Sequence, residues 1–189
     1  MRVVAGLIGL ALVAVGTGCD VSPGGGKGET GEAPFEFKLP DGWSDQTDSE
    51  VVRDALREFE ETAGQSLEAE IAIVGPPRDE FAPNLIVYRG ASGVDGDASD
   101  YLREVASEED EFAREHPELA PKEELPPQEI RFGGESAVQR DFLRPPLRER
   151  QIVVVKDGTV HYLSFTALEK HFDEDVRVLR RIGRSWRWK

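Results

Sequence analysis

The sequence predicts an α+β fold, an antiparallel sheet flanked by helices. Two observations carry that expectation. Runs with an apolar residue at every second position are joined by Gly133-Gly134 and by Asp157-Gly158, and Asp-Gly between alternating runs is a strong hairpin signal. Segments with helical apolar spacing lie early in the chain and at its end, so helices are added to a hairpin-built sheet and do not alternate regularly with strands.

Each element follows in order. In "PFEFKLPDGW" Phe35, Phe37 and Leu39 alternate on one face of a strand, which Pro40-Asp41-Gly42 ends. The stretch "TDSEVVRDALREFEETAG" reads as a helix. Thr47 and Glu50 sit at capping-box spacing, Val51, Val52, Ala55, Leu56, Phe59 and Ala63 form its stripe, and Gly64 is a natural stop. "LEAEIAIV" and "NLIVYRG" look like paired strands on either side of Gly75-Pro76-Pro77. A second helix spans about residues 99–116, with Tyr101, Leu102, Val105, Ala106, Phe112 and Ala113 inward and Pro117 as its stop. A connection containing Pro117, Pro121, Pro126 and Pro127 leads to "EIRF" and "SAVQRDFL" around the glycine pair, then "RQIVVVKD" and "TVHYLSFTA" around Asp157-Gly158. A last helix covers about residues 173–184, with Val176, Leu179 and Ile182 inward and Trp186 just beyond.

The N-terminus has a different character. After Arg2, residues 3–15 (VVAGLIGLALVAV) form an apolar run followed by Gly16, Thr17 and Gly18, the anatomy of a secretory signal peptide. The run ends at Cys19-Asp20, short of the roughly 20 apolar residues that a spanning helix needs. Cys19 is the chain's one cysteine, so an internal disulfide is impossible. "VGTGC" resembles a bacterial lipoprotein box, although Gly16 stands where Leu or Val is more usual. That resemblance implies that residues 1–18 are a lipoprotein signal peptide, that Cys19 is acylated, and that the protein is anchored on the extracytoplasmic face of a bacterial cell membrane. Residues 19–33, Gly-rich and without period, are the lipidated flexible tether. Residues 34–189 form a single α+β domain that folds without disulfides.

"FEFKLPDGW" near the start of the mature chain, the Gly133-Gly134 hairpin, the strands around Asp157-Gly158 and a closing helix leading into "SWRW" together resemble the PsbP/Mog1-like α/β/α sandwich family. The layout is most similar to its bacterial lipoproteins of the LpqN and DUF1795 type. The likeness would cover residues 35–188, and the order of elements carries it more than any single motif. It implies a central antiparallel sheet with helices on its faces and a binding or assembly role. It offers no catalytic residue and no cofactor to carry over.

The formal charge is -14, and removal of residues 1–18 with Arg2 leaves 22 basic against 37 acidic side chains. Such a surface repels nucleic acid. The preponderance of Arg (17) over Lys (6), with abundant Gly, Ala, Val, Asp and Glu, hints at a GC-rich bacterial genome. Catalytic patterns are missing: "GASG" and "GGES" lack the Gly-x-Ser-x-Gly spacing of a nucleophile elbow. His161 lies mid-strand, His116 precedes a proline at a helix end and His171 precedes a helix. In "DGDASD" Asp97, Ser99 and Asp100 read as helix caps, since calcium-loop spacing is absent. The acids of "HFDED" (His171, Asp173, Asp175) complement a helix dipole, and "EEDE" (residues 108–111) reads as a solvated face. No metal site, cofactor or enzyme activity is expected.

The segment "RVLRRIGRSWRWK" carries six basic residues and no acid. It supplies the candidate binding patch: Arg180, Arg181, Arg184, Trp186, Arg187 and Trp188, because Arg and Trp are enriched at binding hot spots. The other reading is that these arginines finish a helix and pair with the domain's own acids while Trp186 and Trp188 close the core. The expected function is a non-enzymatic binding or assembly module of the cell envelope, with an envelope protein or a small ligand as partner. Two alternatives stay open: an envelope hydrolase using paired carboxylates, and a small-molecule or lipid carrier with an apolar groove.

Overall fold

The computed structural model describes residues 33–63, 67–117 and 119–189. The expected signal peptide, Cys19 and nearly all of the tether lie outside the described residues, as does the predicted helix stop at Gly64.

Seven strands form one antiparallel sheet: β2 (Ser44–Asp45), β3 (Glu68–Val74), β4 (Asn84–Ser92), β5 (Glu123–Phe132), β6 (Glu135–Arg144), β7 (Leu147–Lys156) and β8 (Thr159–Leu168), in spatial order β2-β3-β4-β8-β7-β6-β5. The central strands β4, β7 and β8 each carry a run of consecutive buried residues because both faces of the sheet are covered. Ile86, Tyr88, Val153 and Tyr162 point to one face, where helices α1 (Glu50–Ala63) and α2 (Ala98–Glu115) pack with Val52, Phe59, Tyr101, Val105 and Phe112. Leu85, Val87, Val154 and Leu163 point to the other. There the short α3 (Phe172–Asp175), the longer α4 (Arg177–Ser185) and a two-stranded ribbon of β1 (Phe35–Glu36) and β9 (Arg187–Trp188) complete the third layer. The domain is an α/β/α sandwich of α+β class.

Both predicted hairpins form. Gly133, Gly134, Asp157 and Gly158 all have positive φ, as a two-residue turn matched to strand twist requires. At Gly133 glycine is needed for a second reason: a Cβ there would lie 2.4 Å from Trp186. Trp186 is fully buried, stacked on Phe35 at 4.2 Å and Phe37 at 5.3 Å, with Phe132 edge-on. This aromatic stack ties the start of the domain to its end.

Several expectations are corrected. The first strand is only Phe35–Glu36 and pairs with the C-terminal residues, not with the main sheet. Ser49, not Thr47, caps α1 by accepting the Val52 amide, while Thr47 accepts the Ala72 amide of β3. Val51 is 54% exposed and falls off the buried stripe, and Ala106 of α2 is also exposed. The connection expected around Pro126-Pro127 is strand, with an irregularity between Leu125 and Gln128 that accommodates the prolines. The last helix is two, Phe172–Asp175 and Arg177–Ser185. Within "EEDE" Glu109 is buried, 7% exposed, because α2 leans on Arg140 of β6.

Candidate functional site

Helix α4 turns Val178, Leu179 and Ile182 onto the sheet, and the same periodicity turns Arg177, Arg180, Arg181 and Arg184 outward. α4 leaves part of the β5–β7 face open. The result is a groove of about 580 Å³ floored by Ile130, Phe132 and Ile152, with Leu179 on the helix side. Five arginines line it, Arg131, Arg148, Arg150, Arg180 and Arg184, against one acid, Asp141.

Asp141 organises the strand side. It is directly opposite Arg150 across the β6–β7 ladder and receives Nε and Nη2 of Arg150 at 2.7 and 2.8 Å and Nη2 of Arg148 at 2.7 Å. The Arg148 guanidinium lies 4.4 Å from the centre of the Phe172 ring, and that of Arg150 5.5 Å from it. Burial pushes the Asp141 carboxyl up, but the hydrogen bonds from Arg150 and Arg148 outweigh it and hold the group below the usual carboxylate range. Arg148 and Arg150 are therefore held in fixed poses with donors to spare. On the helix side Arg180 and Arg184 are exposed and make no ion pair among the described residues.

The structure divides the patch read from the sequence. Arg180 and Arg184 reach the groove. Arg181 is absent from the groove and faces the opposite flank of α4, a cleft that Arg180 and Arg184 also line, with Trp43 and with Arg78, which pairs with Glu174 at 2.9 Å. Arg187 turns back to the carbonyls of Arg184 and Trp186. Trp186 is buried in the aromatic stack, and half-buried Trp188 packs on Phe35, so both tryptophans close the core. Sequence reasoning missed Arg131, Asp141, Arg148 and Arg150. The signal was present in "LRERQ", where Arg148 and Arg150 share one face of a strand.

A second cleft, of about 470 Å³, lies between α2 and β5. In it Arg140 binds Glu109 and Glu124, each at 2.9 Å. Burial raises the Glu109 carboxyl, and Arg140 offsets only part of that rise. His161, expected to pack in its strand, pairs its Nδ1 with the buried Glu70 carboxylate at 2.7 Å, and Arg89 holds the other oxygen at 2.9 Å. His116 packs on Phe112, and Asp97 accepts the Ser99 and Asp100 amides as a cap. The "HFDED" side chains diverge: His171 binds Asp79, Asp175 faces Arg78, and Asp173 is exposed near Arg148.

No family model matches the chain, and no curated protein matches it. Solved structures do. Cyanobacterial PsbP from Synechocystis is similar at 11% identity with a TM-score of 0.48, over 82% of this chain and 87% of that one. LpqN of Mycobacterium tuberculosis, described as involved in cell envelope biogenesis, is similar at 15% identity with a TM-score of 0.44, over 81% and 82% of the two chains. A protein of unknown function from Pseudomonas aeruginosa is similar at 16% identity with a TM-score of 0.41, over 62% and 81%.

The two clefts suit different work. In the α2–β5 cleft Arg140 is held by two carboxylates, Glu109 and Glu124, and four acids line the cleft against two arginines. In the groove, one carboxylate faces five guanidiniums, and the excess positive charge is open to an anionic partner with planar, bidentate acceptors such as carboxylates.

Proposed function

We propose that this protein is a lipid-tethered extracytoplasmic binding module that engages an anionic partner through the arginine groove and performs no chemistry on it. One observation carries the reading: in a chain of charge -14, Arg180 and Arg184 stand exposed and make no ion pair among the described residues, on the same groove as two further arginines already fixed in place by Asp141. Pre-fixed donors lower the ordering cost of binding. The N-terminal sequence supports placement at a membrane through Cys19, and no helix among the described residues is long and apolar enough to cross one. For a carboxylate hydrolase in the α2–β5 cleft, two of the four lining acids, Glu109 and Glu124, are already held by Arg140, which leaves Asp110 and Glu129. A lipid carrier calls for a contiguous apolar groove, whereas this groove is rimmed by guanidiniums.

In-cell crosslinking of the full-length chain, compared with the double variant Arg180→Glu/Arg184→Glu, tests the reading. A discrete envelope protein captured by the natural chain and lost from the variant is the expected result. An undiminished crosslink in the variant would remove the groove from the function.

A further inference from the structure

Strand β5 lies at the end of the sheet, and among the described residues no strand pairs with its outer side. It runs ten residues and is exposed along most of its length, whereas the opposite edge, β2, has two residues. A long bare edge is a template for another strand unless it is guarded. Here the guard is partial. Pro126 and Pro127 have no N–H to offer and the ladder is irregular between Leu125 and Gln128, so the longer regular segment runs from Gln128 to Phe132, with a shorter one at Glu123–Leu125.

The arginine groove opens beside that segment. Gln128, Ile130 and Phe132 line the groove, while Glu129 lines the α2 cleft on the other face together with Glu124. A strand laid along β5 follows the same pleat. Its alternate side chains then fall on the groove side, beside Gln128, Ile130 and Phe132 and toward Arg180 and Arg184 of α4, while Arg148 and Arg150 lie two strands further in on β7. The intervening ones fall on the side of Glu124 and Glu129. Charge complementarity asks for acids at every second position and no acid between them. A second copy of this chain is a poor occupant, since β5 paired with itself brings together strands carrying Glu123, Glu124 and Glu129 in a protein of charge -14.

We propose that an extended segment of a partner protein, acidic at alternate positions, adds as a strand to β5 at Gln128–Phe132 and reaches into the groove with its acidic side chains. This rests on the reading of the groove as an anion-binding site and specifies both its ligand and its mode of docking. Backbone hydrogen bonds to the edge would supply affinity, and the arginines would select the acidic pattern.

The test is fluorescence anisotropy with the purified full-length chain and labelled peptides about eight residues long, enough for a strand of ordinary length. One peptide alternates glutamate and valine, one has the same composition with its glutamates in a block, and one is the alternating peptide N-methylated at every second amide. The alternating peptide should bind, with the block and N-methylated forms weaker by about tenfold or more and binding lost in Arg180→Glu/Arg184→Glu. If all three bind alike and still need the arginines, strand addition is overturned and the anion-binding groove stands. If only anionic vesicles or polyphosphate bind, and the arginines are needed, the peptide ligand is overturned. If no anion depends on the arginines, the groove reading falls as well.

Discussion

Asp141 and Arg150 face each other across the β6–β7 ladder with two hydrogen bonds of 2.7 and 2.8 Å, and the same carboxylate holds Arg148. Asp141 is 6% exposed, while its arginines retain contact with water. Asp141→Asn removes a charge that two cations share. We expect a loss of about 2 kcal/mol in urea unfolding at neutral pH, the scale of hydrogen bonds to a charged group. An unchanged midpoint would show that the cluster contributes nothing to stability.

The same carboxylate sets a pH dependence. Its folded pKa lies below the ordinary value, so its contribution is complete above an unfolded pKa of about 3.9 and is lost as pH falls through the folded value. Glu109 has the opposite sign: its raised pKa makes it a cost at neutral pH that acid relieves. Comparing natural and Asp141→Asn chains by urea unfolding from pH 7 down to pH 3 should give a stability difference that narrows in the acid range. A difference that widens would contradict the assignment.

Trp186 closes the sandwich from the C-terminal end. Trp186→Ala should cost about 3–5 kcal/mol, as for other buried aromatic truncations. Trp43→Ala should cost less, because Trp43 is half-buried and touches Phe165 only at the rim, 6.3 Å between centres. Thermal melts of the two variants check the ranking, and equal losses would refute it.

Gly133→Ala puts a methyl group against Trp186 at a left-handed backbone position. The expected loss is about 1–3 kcal/mol. Gly134→Ala meets no neighbour and is penalised only by its positive φ, so it should be the milder of the pair in the same melting assay.

Cys19→Ala tests the anchor. Fractionation should move the protein from the membrane to the soluble fraction or leave an unprocessed precursor. Normal membrane-bound maturation of the variant would overturn lipidation.

Local signals made most of the fold legible. The alternation in β3, β4, β7 and β8, the Asp157-Gly158 turn and the Asp97 cap are each set within a few residues of chain. What was hidden depends on contacts between distant residues. Thr47 looked like a cap because its partner, the Ala72 amide, lies 25 residues away. Glu109 looked solvated because Arg140 is 31 residues away. The groove was half visible for the same reason. Arg180 and Arg184 stand in a conspicuous basic run, but Arg148, Arg150 and Asp141 lie in strands where alternating charge is ordinary, and only the β6–β7 register brings them together. Trp186 and Trp188 misled in the other direction, since a residue type enriched at interfaces is equally suited to closing a core.

The pairing of β1 with β9, extended by the bond from the Lys189 amide to the Pro34 carbonyl, brings the two ends of the domain side by side. The folded chain is therefore almost a closed ring, and the place where it is cut is a separate matter from its shape. Joining residue 189 to residue 34 and opening the ring at Asp157-Gly158 would leave every layer of the sandwich in place while moving the attachment point to another part of the surface. The direction in which the arginine groove faces, relative to the point where the chain enters the domain, is thus set by where the ring is cut, and it can be altered without changing a single residue of the groove.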